Sequence, residues 1–178
     1  MKGMDISKWQ GAVDFAKVAA SGIQFAILRE GYRQAVDGKF FEYVNGCRAN
    51  NIPVKGVYHF SYALNAEQAA QEAAFCIKQM EQAGLGKDVI VFYDFEYDTV
   101  KKAKAKGVIL GKNECIAFTK AFCEYVESHG YKAGVYSNID YHRNMYSDEV
   151  LSKYVYWLAD YTGSPDYDCA FHQYTSSG

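Results

Sequence analysis

Short apolar segments alternate with helical patterns along the chain, and this alternation restricts its fold more than any other feature. The sequence predicts strands at 3–7, 23–30, 54–61, 89–97, 132–137, 155–161 and 169–174. It predicts helices at 14–21, 39–50, 65–83, 113–129 and 147–153, and a basic, solvated loop from 99 to 111. Alternation of this kind is typical of βα units, in which helices cover a sheet of parallel strands.

Two architectures of this class are compatible with the seven predicted strands. The chain has 178 residues, enough for one domain with a sizeable core. A closed eight-stranded βα barrel usually takes about 250 residues, and about 200 at the short end. We therefore predict an α/β fold, an irregular TIM-like βα barrel that lacks its last strand, as a single domain over residues 1–178. An open doubly wound sheet is the alternative, but no GxGxxG motif follows the first strand.

Charge, hydropathy and cysteine spacing exclude several classes of protein. The net charge is −2, which argues against a nucleic-acid or anionic-membrane partner. No apolar run approaches the roughly 20 residues of a membrane span, and no N-terminal signal peptide is visible, so we expect no membrane insertion. The five cysteines have neither metal-site nor CxxC spacing. We interpret them as reduced, mostly buried thiols of a protein made in a cytosol.

The segment Val89–Tyr97 (VIVFYDFEY) carries the clearest chemical signal. It begins as an apolar run and ends with Asp94 and Glu96 two positions apart. On a strand such residues face the same side, so both carboxyls should emerge together at the end of a buried strand. Two acids crowded beside an apolar interior are costly unless they are used or neutralised. We interpret them as a catalytic pair; the alternative is a structural pair held by Arg or Lys.

In a βα barrel the active site lies at the carboxyl ends of the strands. Applied to the predicted strands, that rule places a set of charged, aromatic and polar residues together at one end of the barrel: Asp5, Arg29, Glu30, Tyr58, His59, Asp94, Glu96, Tyr136, Trp157, Asp160 and Gln173. This combination suits a sugar, because aromatic faces stack on pyranose rings, carboxylates bind hydroxyls and two acids can cleave a glycosidic bond. We predict these as substrate-binding residues: Tyr58, Tyr136, Trp157, Asp160, Gln173, Arg29 and Glu30.

The catalytic roles follow from charge and reach. Carboxylates held close together cannot all ionise, so one pKa rises and that group stays protonated. We assign Glu96 as the general acid because it reaches further and lies nearer the mouth. Asp94 would stabilise the positive charge at the anomeric carbon or orient an acetamido group, and Asp5 would support the charge balance. The spacing alone leaves a retaining and an inverting outcome equally open.

Other interpretations stand beside these for several residues. Asp5 could cap a helix or turn, and Arg29 and Glu30 could form a structural ion pair. We favour a hydrogen-bonded His59 over a metal ligand, because no second histidine lies at ligand spacing. No metal and no cofactor are expected, so EDTA should leave any hydrolytic rate unchanged.

A series of motifs resembles, in the same order, those of the family-25 glycoside hydrolases, the N-acetylmuramidase lysozymes common among phage endolysins and bacterial autolysins. The motifs are Met4–Gly11, Leu28–Gly31, Gly56–Phe60, Tyr93–Glu96, Gly134–Ser137, Trp157–Tyr161 and His172–Thr175. The resemblance implies an irregular βα barrel that cuts the β-1,4 bond between N-acetylmuramic acid and N-acetylglucosamine in peptidoglycan. It aligns the catalytic acid with Glu96, the partner aspartate with Asp94 and the first-strand aspartate with Asp5. The implied lining is Tyr58, Tyr136, Trp157, Asp160 and Gln173.

The family normally continues past the QYT segment into a last strand with a further aspartate, whereas this chain stops at Gly178. The resemblance implies a peptidoglycan glycan strand as partner, with a C-terminal wall-binding module outside this chain. It also implies an enzyme made in the cytoplasm that reaches the cell wall by secretion or through a holin pore. Two alternatives remain. The first is a chitinase-like glycosidase, but the absence of a DxxDxDxE pattern around Asp94 argues against it. The second is a wall-glycan-binding module without turnover.

Overall fold

The computed structural model describes residues 1–176 and contains one sheet flanked by helices. The strands are β1 Gly3–Ile6, β2 Phe25–Tyr32, β3 Ala35–Val36, β4 Val54–Phe60, β5 Ile90–Asp94, β6 Lys132–Asn138, β7 Val155–Ala159 and β8 Phe171–Gln173. The helices are α1 Phe15–Ala20, α2 Phe40–Ala49, α3 Ala66–Gln82, α4 Tyr97–Lys104, α5 Lys112–Ser128, α6 Ile139–Asn144 and α7 Asp148–Lys153, together with a 3-10 turn at Lys8–Gln10. No helix within residues 1–176 is both long and apolar enough to cross a bilayer.

The strand order distinguishes the two predicted architectures. The parallel strands follow one another as β1-β2-β4-β5-β6-β7-β8, and β3 adds an antiparallel edge to β2. A doubly wound sheet would reverse its order at a switch point, whereas a barrel adds each new strand on the same side. The sheet curls into a half-barrel that brings β8 back towards β1, and the rings of Phe25 and Phe171 meet across that gap at 5.7 Å. The prediction of an incomplete TIM-like barrel is confirmed.

Alternation along the strands divides the apolar side chains between two cores. Ile27, Phe92 and Trp157 form a small cluster inside the curl. Intervening residues such as Leu28, Val57 and Tyr93 contribute to a larger cluster that includes the buried residues of the helices. This alternation is the ordinary two-residue period of a strand. It decides which polar residues at the strand ends face the inside of the barrel.

Two glycines make room for the inner core. A Cβ atom at Gly134 would lie 2.4 Å from the ring of Phe92, and one at Gly56 would lie 2.7 Å from it. Both glycines are direct neighbours of β5 residues in the sheet, Gly134 beside Phe92 itself. The large Phe92 ring therefore fills the barrel floor because its neighbours on both sides lack side chains.

Several segments depart from the predicted elements, among them helix α6, which was not predicted. The strand predicted to break at Gly31 continues to Tyr32 and turns back into β3, where a Cβ at Gly31 would meet the Ala35 carbonyl oxygen at 2.4 Å. The predicted basic loop from 99 to 111 is wrong in its first half, because α4 occupies it. Lys and Ala are good helix formers, so this run of lysines forms a solvated helix face rather than a loop.

Candidate active site

The inward-facing side chains at the carboxyl ends of the strands line a cleft of about 270 Å³. Its lining residues are Asp5, Ser7, Trp9, Arg29, Tyr58, Phe60, Asp94, Glu96, Tyr136, Trp157 and Gln173. The sheet register explains the central row, because Phe60, Asp94, Tyr136 and Trp157 are successive partners across β4 to β7. The structure thus brings together most of the residues predicted from the sequence.

Asp94 and Glu96 both reach this cleft, although they do so from different elements. Asp94 is the last residue of β5 and is almost fully buried. Glu96 does not continue the strand as predicted; Phe95 turns into the core, and Glu96 is the N-cap residue of α4. The pair therefore lies at a strand-to-helix junction, with the aspartate deeper and the glutamate nearer solvent.

Burial changes the acidity of this pair. It raises the pKa of Asp94 well above its usual range; the charges of Glu96 and Asp5 add to that effect and Arg29 opposes it. Burial also raises the pKa of Glu96, with a further contribution from Asp98, while the hydroxyl of Tyr136 acts in the opposite direction. Neighbouring acids with raised pKa values can hold a proton at a pH where isolated carboxyls are ionised.

One carboxylate oxygen of Asp94 has no hydrogen-bond partner in the described part of the protein. Its Oδ1 is buried and has no hydrogen-bond partner within residues 1–176. Buried polar atoms in proteins are nearly always satisfied, so this unpartnered oxygen adds to the cost of ionising Asp94.

Gln173 joins the two edges of the half-barrel. Its Nε2 on β8 donates to both carboxylate oxygens of Asp5 on β1, at 2.9 and 3.0 Å. Its Oε1 accepts hydrogen bonds from the hydroxyls of Tyr136 at 3.1 Å and Tyr161 at 2.8 Å. Burial raises the pKa of Asp5 while the Gln173 contact opposes that rise. Asp5 is thus a wall residue held by side-chain hydrogen bonds, and the helix-capping alternative does not apply to it.

Aromatic rings form the floor and one rim of the cleft. Trp157 is buried and packs edge to face with Tyr58 at 5.8 Å and Tyr136 at 4.7 Å. Trp9, in contrast, is 75% exposed beside the same cleft. Trp9 was not among the residues predicted to bind substrate; the available signal was a tryptophan set between polar residues just after the first strand. An exposed indole at a cleft rim is suited to stacking on a sugar ring.

Comparison with known proteins identifies the fold family. The sequence profile of the glycosyl hydrolases family 25 matches residues 4–178. The chain belongs to glycosyl hydrolase family 25. The autolytic lysozyme of Clostridium acetobutylicum is 25% identical over 185 aligned residues, which cover all of this chain and 51% of that protein. This family-25 chain therefore spans about half the length of that curated relative.

A solved structure gives the same relation. The modular autolysin LytC from Streptococcus pneumoniae matches with a TM-score of 0.84 and 25% identity, over 99% of this chain and 43% of the autolysin. A second structure of LytC, in complex with a synthetic peptidoglycan ligand, matches with the same TM-score at 22% identity and the same two coverages. The half-barrel of this family-25 chain thus has a counterpart within a longer modular protein.

Arg29 lines the cleft of the family-25 chain, but its ion-pair partner differs from the predicted alternative. The guanidinium binds Asp37, with Nε at 2.7 Å and Nη2 at 2.6 Å from the same carboxylate oxygen. The carboxylate of Asp37 also accepts hydrogen bonds from the backbone amides of Lys8 and Lys39. The Arg29–Glu30 pair is therefore absent, and Arg29 is fixed at the cleft wall from behind.

The assignment of Glu30 to substrate binding is wrong. Adjacent strand residues face opposite sides of a sheet, so Glu30 points away from the cleft when Arg29 points into it. Its carboxylate is fully buried and lies 2.7 Å from Nδ1 of His59, which confirms the hydrogen-bonded interpretation of that histidine. Burial alone would lower the pKa of His59, but the hydrogen bond and charge of Glu30 outweigh it and raise that pKa.

Cys76 completes a buried cluster with this pair. One donor atom from each of Glu30, His59 and Cys76 lies within 4.8 Å of the others. The 2.7 Å contact is a hydrogen bond, whereas two ligands of one tetrahedral zinc ion would be about 3.3 Å apart. The cluster therefore fits an ion pair beside a thiol.

The assignment of Asp160 to substrate binding is also wrong. β7 ends at Ala159, and Asp160 turns into the following loop instead of the cleft. It accepts hydrogen bonds from the amide and hydroxyl of Thr162 at 3.0 and 2.7 Å and from the amide of Asp166 at 3.1 Å. The Thr162 contacts, followed by that of Asp166, lower the pKa of Asp160. Asp160 therefore organises the loop after β7.

Thr99 positions Glu96 from inside the protein. Its buried hydroxyl donates to the Ser61 carbonyl at 2.7 Å and accepts the Glu96 amide at 3.2 Å. Ser61 is itself held, because its hydroxyl donates to the buried carboxylate of Glu72 at 2.6 Å and accepts from Tyr93 at 2.8 Å. The backbone at Glu96 is thus tied to a buried network on the helix side of the sheet.

We predict that Thr99→Val lowers kcat about tenfold, because the isosteric side chain leaves the Glu96 amide and the Ser61 carbonyl without partners. Substrate affinity should change little, since Thr99 lines neither wall of the cleft. Initial rates on purified cell walls over a range of substrate concentrations measure both quantities. Thr99→Ser keeps the hydroxyl and should restore the rate; equal losses in both variants would contradict a positioning role.

Proposed function

We propose that this chain is an N-acetylmuramidase-type lysozyme that hydrolyses the β-1,4 bond between N-acetylmuramic acid and N-acetylglucosamine in peptidoglycan. The observation that carries this proposal is the Asp94–Glu96 pair, two carboxyls with raised pKa values in an aromatic-lined cleft of a family-25 fold. Membership of a hydrolase family supports the reaction class, and the cleft supports a sugar substrate. The proposal includes residues 1–178 as a single catalytic domain.

Glu96 is the general acid in this mechanism. It lies nearer solvent than Asp94, so its carboxyl can reach the oxygen that links two sugars. Its proton passes to that oxygen as the glycosidic bond breaks, and the leaving sugar departs as an alcohol. A water molecule then supplies hydroxyl to the anomeric carbon and returns a proton to the carboxylate. Each turnover therefore leaves Glu96 as it began.

Asp94 orients the acetamido group of the reacting sugar, a contact that its carboxyl can make with its proton on, or, once ionised, stabilises the positive charge that develops at the anomeric carbon. Its carboxyl lines the cleft and can therefore make either contact. Asp5 adds negative charge from β1 and is held in place by Gln173. Trp9 stacks on a sugar ring, and Tyr58, Tyr136, Trp157 and Arg29 complete the substrate-binding walls.

The longer relatives support the partner and place of action. LytC is described as modular and was solved with a synthetic peptidoglycan ligand. We propose that the glycan strand of peptidoglycan is the partner here and that a wall-binding module accompanies this chain in its parent protein. The protein would act on the cell wall after secretion or release through a holin pore.

Analysis of new reducing ends tests the function. We expect incubation of purified peptidoglycan with the protein to create reducing ends at N-acetylmuramic acid, identified by borohydride reduction, acid hydrolysis and amino-sugar analysis. Reducing ends at glucosamine would instead indicate a glycosidase of different, chitinase-like specificity. Wall binding without any new reducing end would identify a non-catalytic binding module and contradict the proposal.

A further inference from the structure

A second cleft of about 400 Å³ lies beside the catalytic cleft. The two share Trp9, Arg29 and Phe60, so they form one continuous groove. The remaining lining residues of the second cleft, which we name the cationic cleft, are Lys8, Tyr32, Arg33, Tyr62, Asp98 and Lys102. None of them belongs to the catalytic group proposed above.

The charges along this groove are separated by sign. Asp5, Asp94 and Glu96 line the catalytic end. At the other end, Arg29 is neutralised by Asp37 and Lys102 by Asp98, the latter pair at 3.0 Å. Within residues 1–176, Lys8 and Arg33 form no salt bridge to a carboxylate, so the cationic cleft retains two positive charges in a chain whose net charge is −2.

Aromatic rings hold these two cations without neutralising them. Lys8 Nζ lies 5.0 Å from the ring centroid of Trp9 and 5.5 Å from that of Tyr32. The Arg33 guanidinium carbon lies 4.7 Å from the centroid of Tyr62. A cation over an aromatic face is positioned but keeps its charge and its hydrogen-bond donors. Both side chains are therefore prepared to receive an anion.

The wall that carries Arg33 is itself fixed. The Tyr62 hydroxyl donates to Asp98 at 2.6 Å and accepts from Lys102 at 3.1 Å. Arg33 lies in the two-residue turn between β2 and β3 with φ of 54°, a conformation that favours glycine or asparagine. An arginine at an unfavourable backbone position beside a cleft suggests that its side chain has a use.

We propose that the cationic cleft binds an oxyanion group, a carboxylate or a phosphate, attached to the glycan whose sugar rings occupy the catalytic cleft. This inference rests on the proposed function. Glycan strands of cell walls carry carboxylates on their stem peptides and phosphodiesters on attached polymers, and either group suits a lysine and an arginine. Because the catalytic end of the groove is acidic, an anionic substituent favours the other end. The groove would thereby set the direction and register of the strand.

Kinetics of a double variant test this proposal. We expect Lys8→Gln/Arg33→Asn to raise KM on intact walls about tenfold and to leave kcat unchanged, since two charge-assisted contacts are lost away from the reacting bond. Asparagine tolerates the left-handed backbone, so the turn should still form. Lys104→Gln/Lys106→Gln is the matched control, because both lysines are exposed and line neither cleft; its KM should match that of the unsubstituted protein.

Three wall preparations identify the group that is bound. Amidation of the wall carboxylates with a carbodiimide and an ammonium salt should abolish the KM difference if the group is a carboxylate, and removal of phosphodiester polymers with hydrofluoric acid should abolish it if the group is a phosphate. A difference of the same size on walls treated in both ways, or no difference on intact walls, would overturn the proposal.

Binding measurements separate this inference from the proposed function. If the protein produces no new reducing ends, sedimentation with intact walls still compares the Glu96→Gln protein with and without the two cleft substitutions. About tenfold weaker sedimentation binding is expected on losing the two cations, and equal binding would overturn the cationic-cleft proposal whatever the outcome for hydrolysis.

Discussion

Glu96→Gln is expected to reduce kcat about 10³-fold, because an amide of the same shape has no proton to give to the glycosidic oxygen. KM should stay within about threefold of the original value, since Gln keeps the hydrogen-bonding reach of the side chain and the sugar contacts lie elsewhere in the cleft. Release of reducing ends from purified peptidoglycan, followed over a range of substrate concentrations, measures both parameters.

The control for Glu96→Gln is Glu114→Gln, which removes the same charge outside the catalytic cleft. It should retain the full rate. Thermal unfolding of both proteins checks the fold, and each should unfold within a few degrees of the unsubstituted chain. Residual turnover above about a tenth of the original in Glu96→Gln would remove Glu96 from the role of general acid.

Glu30→Ala is expected to cost about 3–5 kcal/mol of unfolding free energy, because it leaves His59 in the core without its charge partner. Both side chains are fully buried and lie 2.7 Å apart. Urea unfolding measures the loss, and the activity per folded molecule should be nearly unchanged, since Glu30 does not line the cleft. A loss below about 1 kcal/mol would contradict the description of Glu30 and His59 as a coupled pair.

The matched variant replaces both members with apolar residues of similar size. Glu30→Leu/His59→Phe should recover most of the lost stability, because no polar atom of the pair remains to be satisfied. The His59 ring already lies 6.1 Å from that of Phe122, so a phenyl group would meet an aromatic neighbour. A double variant as unstable as Glu30→Ala would indicate a packing defect instead of an unpaired charge.

The stability from this pair should depend on pH in one direction. The folded-state pKa of His59 is raised above its unfolded value of about 6.5. A group that binds its proton more tightly in the folded state stabilises the folded protein fully at a pH below its unfolded-state pKa. That stabilisation is lost as the pH rises through its folded-state pKa. The difference in unfolding free energy between the unsubstituted chain and Glu30→Ala should therefore be largest in acid and should shrink in alkaline solution.

The sequence predicts the cleft residues well where a residue lies at the carboxyl end of a strand and also on its inward face. Asp94, Tyr58, Tyr136 and Gln173 each lie at the carboxyl end of a strand on its inward face, so a rule based on position alone locates them. Glu30 also lies at the carboxyl end of a strand, but its side chain faces the opposite side of the sheet from that of Arg29. The face, not the position along the strand, decides that Glu30 points away from the cleft. Alternation along a strand already excludes that both residues line the cleft, and which of the two faces inward depends on how the sheet packs, which a single sequence does not fix.

Other errors arise where the chain leaves regular structure. Asp160 follows the last residue of β7. Its side chain accepts hydrogen bonds within the loop, and these form only because Thr162 and Asp166 fold back towards it. Helix α4 was predicted as a loop because its lysines suggest solvation, yet the same residues favour a helix once Glu96 begins it. Local composition was informative in each case, and the tertiary context decided the outcome.

The hydrogen bonds of Gln173 make the closure of the half-barrel directional. Its NH₂ faces a carboxylate and its oxygen faces two phenols, so the terminal group fits in only one orientation. A rotated amide would oppose oxygen to oxygen at Asp5, whereas the tyrosine hydroxyls, which can also accept, would have to turn their hydrogens away. The polar contact between the outermost strands therefore depends on a single torsion angle near the end of one side chain, where most sheets rely on a ladder of main-chain bonds.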